Sequence, residues 1–150
     1  MTASFASQEW ADTFATHLND DARVRTDSVT WVFGPILLVV DGDESLGLES
    51  TGIRIDLHEG EVRGVTLVDA ADAVRNPTAL GGSLARWKAV FGGSLSVVDG
   101  VREAKIRLRG DLPTLTRHSG LFDGIARAAA SVETAWQDEV PAEAAAPAAG

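Results

Sequence analysis

The fold class follows most directly from residues 53–68, which read Ile-Arg-Ile-Asp-Leu-His-Glu-Gly-Glu-Val-Arg-Gly-Val-Thr-Leu-Val. At the start of this stretch, apolar residues alternate with Arg54, Asp56 and His58. A period of two is typical of a strand with one buried face and one wet face. The acidic and glycine residues at 59–61 predict a tight hairpin turn, and residues 62–68 predict the returning strand. The sequence therefore predicts an antiparallel meander.

The residues before this meander predict one helix and two further strands. The helix has an apolar stripe at four-residue spacing, formed by Trp10, Phe14 and Leu18. Ser7 is the expected N-cap of that helix. Residues 29–33 and 36–40 are rich in β-branched and aromatic side chains, so both segments are predicted to be strands.

The residues after the meander alternate between ambiguous and clear patterns. Residues 69–82 leave open both a short capped helix and a short strand. A helix is expected over 83–91, because its large apolar residues recur at helical spacing and two glycines follow. Residues 105–109 alternate as a strand, and the last helix is predicted to run from about residue 121 to residue 136.

Composition limits the classes of partner. The chain has 150 residues, 22 acidic and 13 basic, with a formal charge of −9. A nucleic acid or an anionic membrane requires a basic footprint, so neither is expected as the main partner. The longest apolar run, residues 36–40, is far shorter than the roughly 20 residues that span a bilayer. With no signal-peptide pattern at the N-terminus, we expect a cytoplasmic protein without stable membrane insertion.

The length predicts one domain, residues 1–137, followed by a tail of mostly alanine, proline and glutamate at 138–150. The tail has too few large apolar residues to form a core, and we expect it to be disordered.

A search for catalytic or metal-binding groups finds little. The absence of cysteine and tyrosine excludes thiolate and phenol chemistry. None of the three histidines has a second ligand at metal-binding spacing, so neither a metal nor a cofactor is expected. Acid–base groups for a small enzyme could come from Asp41, Asp69, Asp72 or His118, but turns and helix caps use the same acidic residues. We therefore expect a protein that is not an enzyme.

Two blocks resemble the sterol carrier protein type-two family. Residues 84–93, Leu-Ala-Arg-Trp-Lys-Ala-Val-Phe-Gly-Gly, resemble its helix motif W-K-x-hydrophobic-hydrophobic-x-G. Residues 105–112, Lys-Ile-Arg-Leu-Arg-Gly-Asp-Leu, resemble its strand and turn K-L-x-hydrophobic-x-G-D/N-hydrophobic. Residues 34–41 and 53–60 are similar to its first hairpin. The resemblance extends over roughly residues 7–136, and the order and spacing of the blocks carry it.

The resemblance implies an α+β fold, in which helices cover a curved, mixed but mostly antiparallel five-stranded sheet. It places a strand at about residues 78–81. It also implies noncatalytic binding or transfer of a sterol, a fatty acid or a fatty acyl chain in an apolar cavity between sheet and helices. The expected apolar lining is Leu84, Trp87, Phe91, Leu121, Phe122 and Ile125. Arg117 and His118 are the expected polar mouth, facing a head group.

Two other functions fit the same residues. The same apolar stripes would serve an accessory interaction or dimerisation module if the interior is solid, with a second copy or a separate enzyme as partner. A small enzyme acting on a hydrophobic metabolite would need a carboxylate directed into the cavity.

Overall fold

The computed structural model describes residues 3–139. The strands are β1 (Ala3–Ser4), β2 (Ile36–Val40), β3 (Thr51–His58), β4 (Glu61–Asp69), β5 (Thr78–Gly82), β6 (Arg107–Arg109) and β7 (Thr134–Ala135). The helices are α1 (Gln8–Asp20), α2 (Ala22–Asp27), α3 (Leu84–Phe91), α4 (Val97–Arg102), α5 (Leu112–Arg117) and α6 (Ser119–Ala130). Five strands form one sheet in the order β4-β3-β2-β5-β6. The expected five-stranded α+β architecture is confirmed.

The β3–β4 hairpin forms as the alternating pattern predicts. Its turn places Glu59 at φ 49° and Gly60 at φ 86°, the left-handed conformation of tight hairpin turns. A side chain at Gly60 would also come within 2.8 Å of a methyl group of Val29. Glycine is therefore required both by the backbone conformation and by the neighbouring loop.

Strand β2 is the centre of the sheet. It pairs antiparallel with β3 and parallel with β5, which makes the sheet mixed. All five of its residues are buried. The other strand predicted in this region, at residues 29–33, is wrong. A short 3-10 turn and a loop lie there, and Val32 is 79% exposed. Residues 29–33 cannot form a strand beside β2 despite their β propensity, because both edges of β2 are already paired.

The helices cover one face of the sheet, and their caps follow the sequence. Ser7 accepts a hydrogen bond from the backbone N–H of Trp10 at 3.2 Å, as expected for the N-cap of α1. Trp10, Phe14 and Leu18 are fully buried. On the opposite face of the sheet, the 3-10 turn Ala70–Arg75 packs against β2 and β3.

The ambiguous stretch at 69–82 contains both elements that the sequence left open. Asp69 caps the 3-10 turn, and β5 follows, confirming the strand that the family resemblance implied. Strand β6 covers only the last three residues of the predicted segment 105–109.

The last helix is shorter than predicted. It ends at Ala130, and residues 134–135 form β7, which pairs with β1 from the N-terminus. Trp136 packs on Phe5, with ring centroids 4.5 Å apart. Contacts with the N-terminus are therefore made where the sequence predicted a continued helix. The described structure continues through Glu139, two residues past the expected domain boundary, and the rest of the expected tail lies outside the described residues. Within residues 3–139, no helix is long and apolar enough to cross a bilayer.

Trp87 joins α3 to the central strand. Its ring is 1% exposed, and its indole N–H donates to the carbonyl oxygen of Val39 at 2.9 Å. Replacing Trp87→Phe removes this hydrogen bond and leaves a void, so we expect the free energy of unfolding to fall by about 2–4 kcal/mol. Urea unfolding measures the loss. Val32→Ala, at an exposed site, is the control and should change stability by less than about 0.5 kcal/mol. Equal urea midpoints for the two variants would contradict the role of Trp87.

Asp21 links α1, α2 and α6. Its carboxylate accepts from the backbone N–H of Val24 at 3.1 Å and pairs with Arg127 at 2.8 and 3.0 Å. Burial raises the pKa of this carboxyl, but the bonds from Arg127 and Val24 outweigh it, and the net pKa lies below its ordinary value.

A carboxyl with a lowered pKa stabilises the fold above its unfolded pKa, and this stability is lost as pH falls through the folded pKa. Asp21→Asn should therefore reduce the loss of stability on acidification from neutral pH to below about pH 4, measured by urea unfolding at a series of pH values. Asp56→Asn, an exposed control on β3, should retain the wild-type profile. The same acid profile for Asp21→Asn and wild type would show that the ion pair does not contribute.

Candidate apolar binding site

The six residues expected to line a cavity are all buried in the core between sheet and helices. Leu121 has no accessible surface, and Trp87 and Phe122 keep 1%. Such side chains contact neither solvent nor a void that could hold a water molecule. Leu84 and Ile125 are 4% and 3% exposed. The interior at these five positions is filled by side chains, whereas Phe91 keeps 6% of its surface exposed.

Aromatic rings fill much of this interior. We call them the Trp10 cluster, which consists of Phe5, Trp10, Phe14, Trp87, Phe91 and Trp136. Neighbouring ring centroids lie 4.5–6.2 Å apart, in edge-to-face, tilted and stacked arrangements. Such pairs add stability beyond their buried area. The sequence reasoning missed Phe5 and Trp136, because the pairing of β1 with β7 brings them together across the whole chain.

A second set of aromatic side chains surrounds an apolar hollow of about 130 Å³, which we call the Trp31 pocket. It lies between the loop before β2, the beginning of β5, β6 and α5. Its lining is Trp31, Phe33, Pro77, Thr78, Leu108, Asp111, Thr114 and Leu115. The Trp31 indole N–H donates to the carbonyl oxygen of Gly34 at 2.7 Å, which holds the ring in the wall. Phe33 is 37% exposed at the rim.

Both residues expected at a polar mouth lie beside the Trp31 pocket. The His118 ring is 5.1 Å from the Trp31 ring and 5.8 Å from the Phe33 ring. Its Nδ1 atom is 2.9 Å from the carbonyl oxygen of Thr114, and Arg117 donates to the Thr114 hydroxyl at 3.2 Å. Because a carbonyl only accepts, Nδ1 carries a proton in this arrangement.

Trp31 also connects the pocket to the core. Its ring lies 5.7 Å from the ring of Phe122, one of the expected lining residues, in an edge-to-face arrangement. Trp31 is only 4% exposed and forms part of the wall between the pocket and the filled interior. The sequence reasoning did not select Trp31 or Asp111, because a loop and a helix cap carry no periodic signal.

The carboxylates considered for acid–base work have structural partners. Asp41 pairs with both terminal nitrogens of Arg107, at 2.8 and 2.6 Å, and this bond raises the pKa of the arginine. Asp69 caps the turn that follows β4, and Asp72 lies 3.9 Å from Arg75. Asp111 lines the Trp31 pocket, but its carboxylate bonds the backbone N–H and hydroxyl of Thr114 as an N-cap. Among residues 3–139, no cluster of three or more histidine or acidic side chains is arranged to hold a metal ion.

Solved structures with a similar fold include sterol carrier proteins. A crystal structure of sterol carrier protein 2 has a TM-score of 0.75 at 21% identity, covering 86% of this chain and 99% of that one. A conserved hypothetical protein from Thermus thermophilus, described as possibly a sterol carrier protein, has a TM-score of 0.75 at 21% identity, covering 90% and 94%. The apo form of sterol carrier protein 2 from Yarrowia lipolytica has a TM-score of 0.51 at 13% identity, covering 80% and 88%.

No protein-family model and no curated protein sequence matches the chain. The resemblance that residues 84–93 and 105–112 indicated is thus confirmed at the level of the fold, which extends over most of this chain and nearly all of two of its structural neighbours.

Proposed function

We propose that the protein binds a hydrophobic molecule noncatalytically, with a sterol, a fatty acid or a fatty acyl chain as the ligand class. The observation that carries this proposal is the Trp31 pocket, an apolar hollow in a fold shared with sterol carrier proteins. Two of its lining residues contact polar neighbours: Trp31 packs against the ring of His118, and Thr114 accepts a hydrogen bond from Arg117. Burial of ligand hydrocarbon would drive binding, at about 25 cal/mol per Å² of apolar surface.

The size of the pocket constrains how a ligand would be seated. Its volume of about 130 Å³ is well below the roughly 300–1,000 Å³ of typical small-molecule sites. A long hydrocarbon chain would therefore extend past Trp31 toward Phe122, and the Trp31 ring would have to move. In this proposal the filled interior is the ligand-free state, and the ligand replaces contacts among core side chains.

The polar neighbours Arg117 and His118 would face the head group. Arg117 is exposed and supplies a permanent positive charge, while the His118 ring packs edge-on against Trp31. Arg117 and His118 together would suit a carboxylate or hydroxyl at one end of an otherwise apolar molecule.

An accessory interaction or dimerisation module is the second candidate. Two observations favour it: the filled interior, and the exposure of Val29 (58%), Val32 (79%) and Phe33 (37%). A group of exposed apolar side chains is a feature of protein interfaces. In this case the partner would be a second copy of the chain or a separate enzyme, and Phe33 would be covered by protein instead of framing a ligand site.

Filling the Trp31 pocket tests the first proposal. Leu108→Trp places a bulky ring in the hollow, so we expect the affinity for 11-(dansylamino)undecanoic acid and for dehydroergosterol to fall by about 10-fold or more in fluorescence titrations. The matched control is Leu48→Trp, the same substitution at a partly buried leucine near the opposite end of β2, which should bind as wild type does.

Two results would contradict the proposed function. If wild type shows no saturable uptake of either probe, while sedimentation shows a concentration-dependent dimer that Phe33→Ser weakens, the interaction module is the better account. If Leu108→Trp and Leu48→Trp bind equally tightly, the Trp31 pocket is not the site.

A further inference from the structure

A second apolar groove lies along the seam between α3 and α6. It consists of two neighbouring hollows of about 340 and 240 Å³, which share Phe91, Gly92 and Ala130 in their linings. We call it the Phe91 groove. The larger hollow alone is within the size range of small-molecule sites. Phe91 is also one of the residues that the family resemblance suggested as ligand lining.

The shape of the groove follows from its small residues. Gly92 ends α3, and Ala130 ends α6, so no large side chain fills the space beside the Phe91 ring. Leu95 and Val97 border the larger hollow, and Trp136 borders the smaller one. The result is a mostly apolar trough with room for an extended hydrocarbon chain.

The cationic side chains at the two ends of the groove have different ion-pair partners. At the α6 end, Asp123 and Arg127 line the larger hollow, and Arg127 is already paired with Asp21, so among the described lining residues this end offers an anion no available cation. At the α3 end, Lys88 lines the smaller hollow, and its ammonium lies 3.1 and 3.2 Å from the carboxylate oxygens of Asp138. Lys88 also contacts the carboxylate of Glu139. The bond to Glu139, and then that to Asp138, raise the pKa of Lys88 although burial lowers it.

Lys88 therefore already functions as a carboxylate-binding group at the rim of an apolar trough. The two carboxylates come from the turn Gln137–Glu139, the last part of the chain that the structure describes. Lys88 also lies 5.8 Å from the centre of the Trp136 ring. The same few residues thus present a cation, an aromatic wall and an open apolar channel.

The turn that supplies these carboxylates is held incompletely. The Gln137 side-chain N–H donates to the carbonyl oxygen of Phe5 at 2.9 Å, but its Oε1 atom is buried and has no hydrogen-bond partner among the described residues. An unsatisfied buried acceptor is unfavourable. Movement of this turn would expose that oxygen to water, where it can accept a hydrogen bond. This gain offsets part of the free-energy cost of displacing the turn.

We propose that the Phe91 groove binds a single-chain amphiphile with an anionic head group, which Lys88 receives in place of Asp138 and Glu139. The two acidic side chains then act as an internal competitor that keeps Lys88 occupied until a ligand arrives. The proposal rests on the proposed function for the class of ligand, but it uses a different site.

The test compares dodecanoate with dodecanol, which have the same chain and differ in the charge of the head group. Isothermal titration of the full chain should show tighter binding of dodecanoate. Asp138→Asn combined with Glu139→Gln should tighten dodecanoate binding by about 3-fold or more and leave dodecanol unchanged, because only the anion competes with those carboxylates. The matched control is Asp99→Asn combined with Glu103→Gln, which removes two acids at α4, one of them paired with Lys105.

Two further variants locate the site. Ala130→Phe, at an exposed position, should fill the groove and weaken binding of both ligands at that site by about 10-fold or more, while the Trp31 pocket keeps its own binding. Lys88→Gln should abolish the preference for dodecanoate over dodecanol. A carboxylate head group is distinguished from a phosphate by repeating the titration with dodecyl phosphate, and tighter binding of either anion than of dodecanol supports the proposal.

The outcomes separate this proposal from the proposed function. If Ala130→Phe binds dodecanoate as wild type does and Leu108→Trp does not bind it, the Phe91 groove is not a ligand site and the Trp31 pocket stands. If Ala130→Phe abolishes dodecanoate binding and Leu108→Trp does not, the Phe91 groove is the ligand site and the Trp31 pocket is not. An unchanged dodecanoate affinity in the Asp138/Glu139 double variant would overturn the competition.

Discussion

The structure depends on a central strand that is buried on both faces. Strand β2 has a neighbour on each side, so its backbone is paired, and its five apolar side chains must be covered above and below. The helices cover one face and the 3-10 turn after β4 covers the other. Trp87 attaches α3 to this strand through a buried hydrogen bond to Val39, which satisfies an indole N–H that would otherwise be costly to bury. The two proposed sites lie at the margins of this arrangement, where loops and helix ends leave the core incompletely covered.

The sequence predicts correctly the elements that depend on residues close together in the chain. It fails where an element depends on residues that are far apart in the chain. The alternation at residues 53–58, the cap at Ser7 and the apolar spacing over residues 83–91 are local signals, and the structure confirms the elements they predict. The segment 29–33 has strand propensity, but β2 offers it no free edge. Residues 134–136 fit a continued helix, but they pair and pack with the N-terminus instead. Both errors arise because partners distant in the chain override local preference.

The candidate site shows the same division. Helical spacing identified the buried stripes of α3 and α6, but the same spacing suits a filled core and a hollow one, and here the core is filled. The resemblance to sterol carrier proteins led to Arg117 and His118, which lie beside the Trp31 pocket. Trp31, Phe33 and Asp111 come from a loop and a cap, so only the fold brings them together. Lys88 stood in the sequence as part of a family motif, and its pairing with the C-terminal turn became visible only in three dimensions.

The proposed function requires that a hydrocarbon ligand enter this filled domain next to Trp31. The chain has four tryptophans, and the indole N–H groups of Trp10, Trp31 and Trp87 have three different acceptors in the structure. A proton–nitrogen correlation spectrum of the indole groups, recorded as dehydroergosterol is added, tests whether the ligand enters there. The Trp31 signal should shift and saturate with the ligand, since its ring forms part of the pocket wall. If all four indole signals stay in place at a ligand concentration far above that of the protein, the domain does not take up the ligand, which contradicts the proposed function.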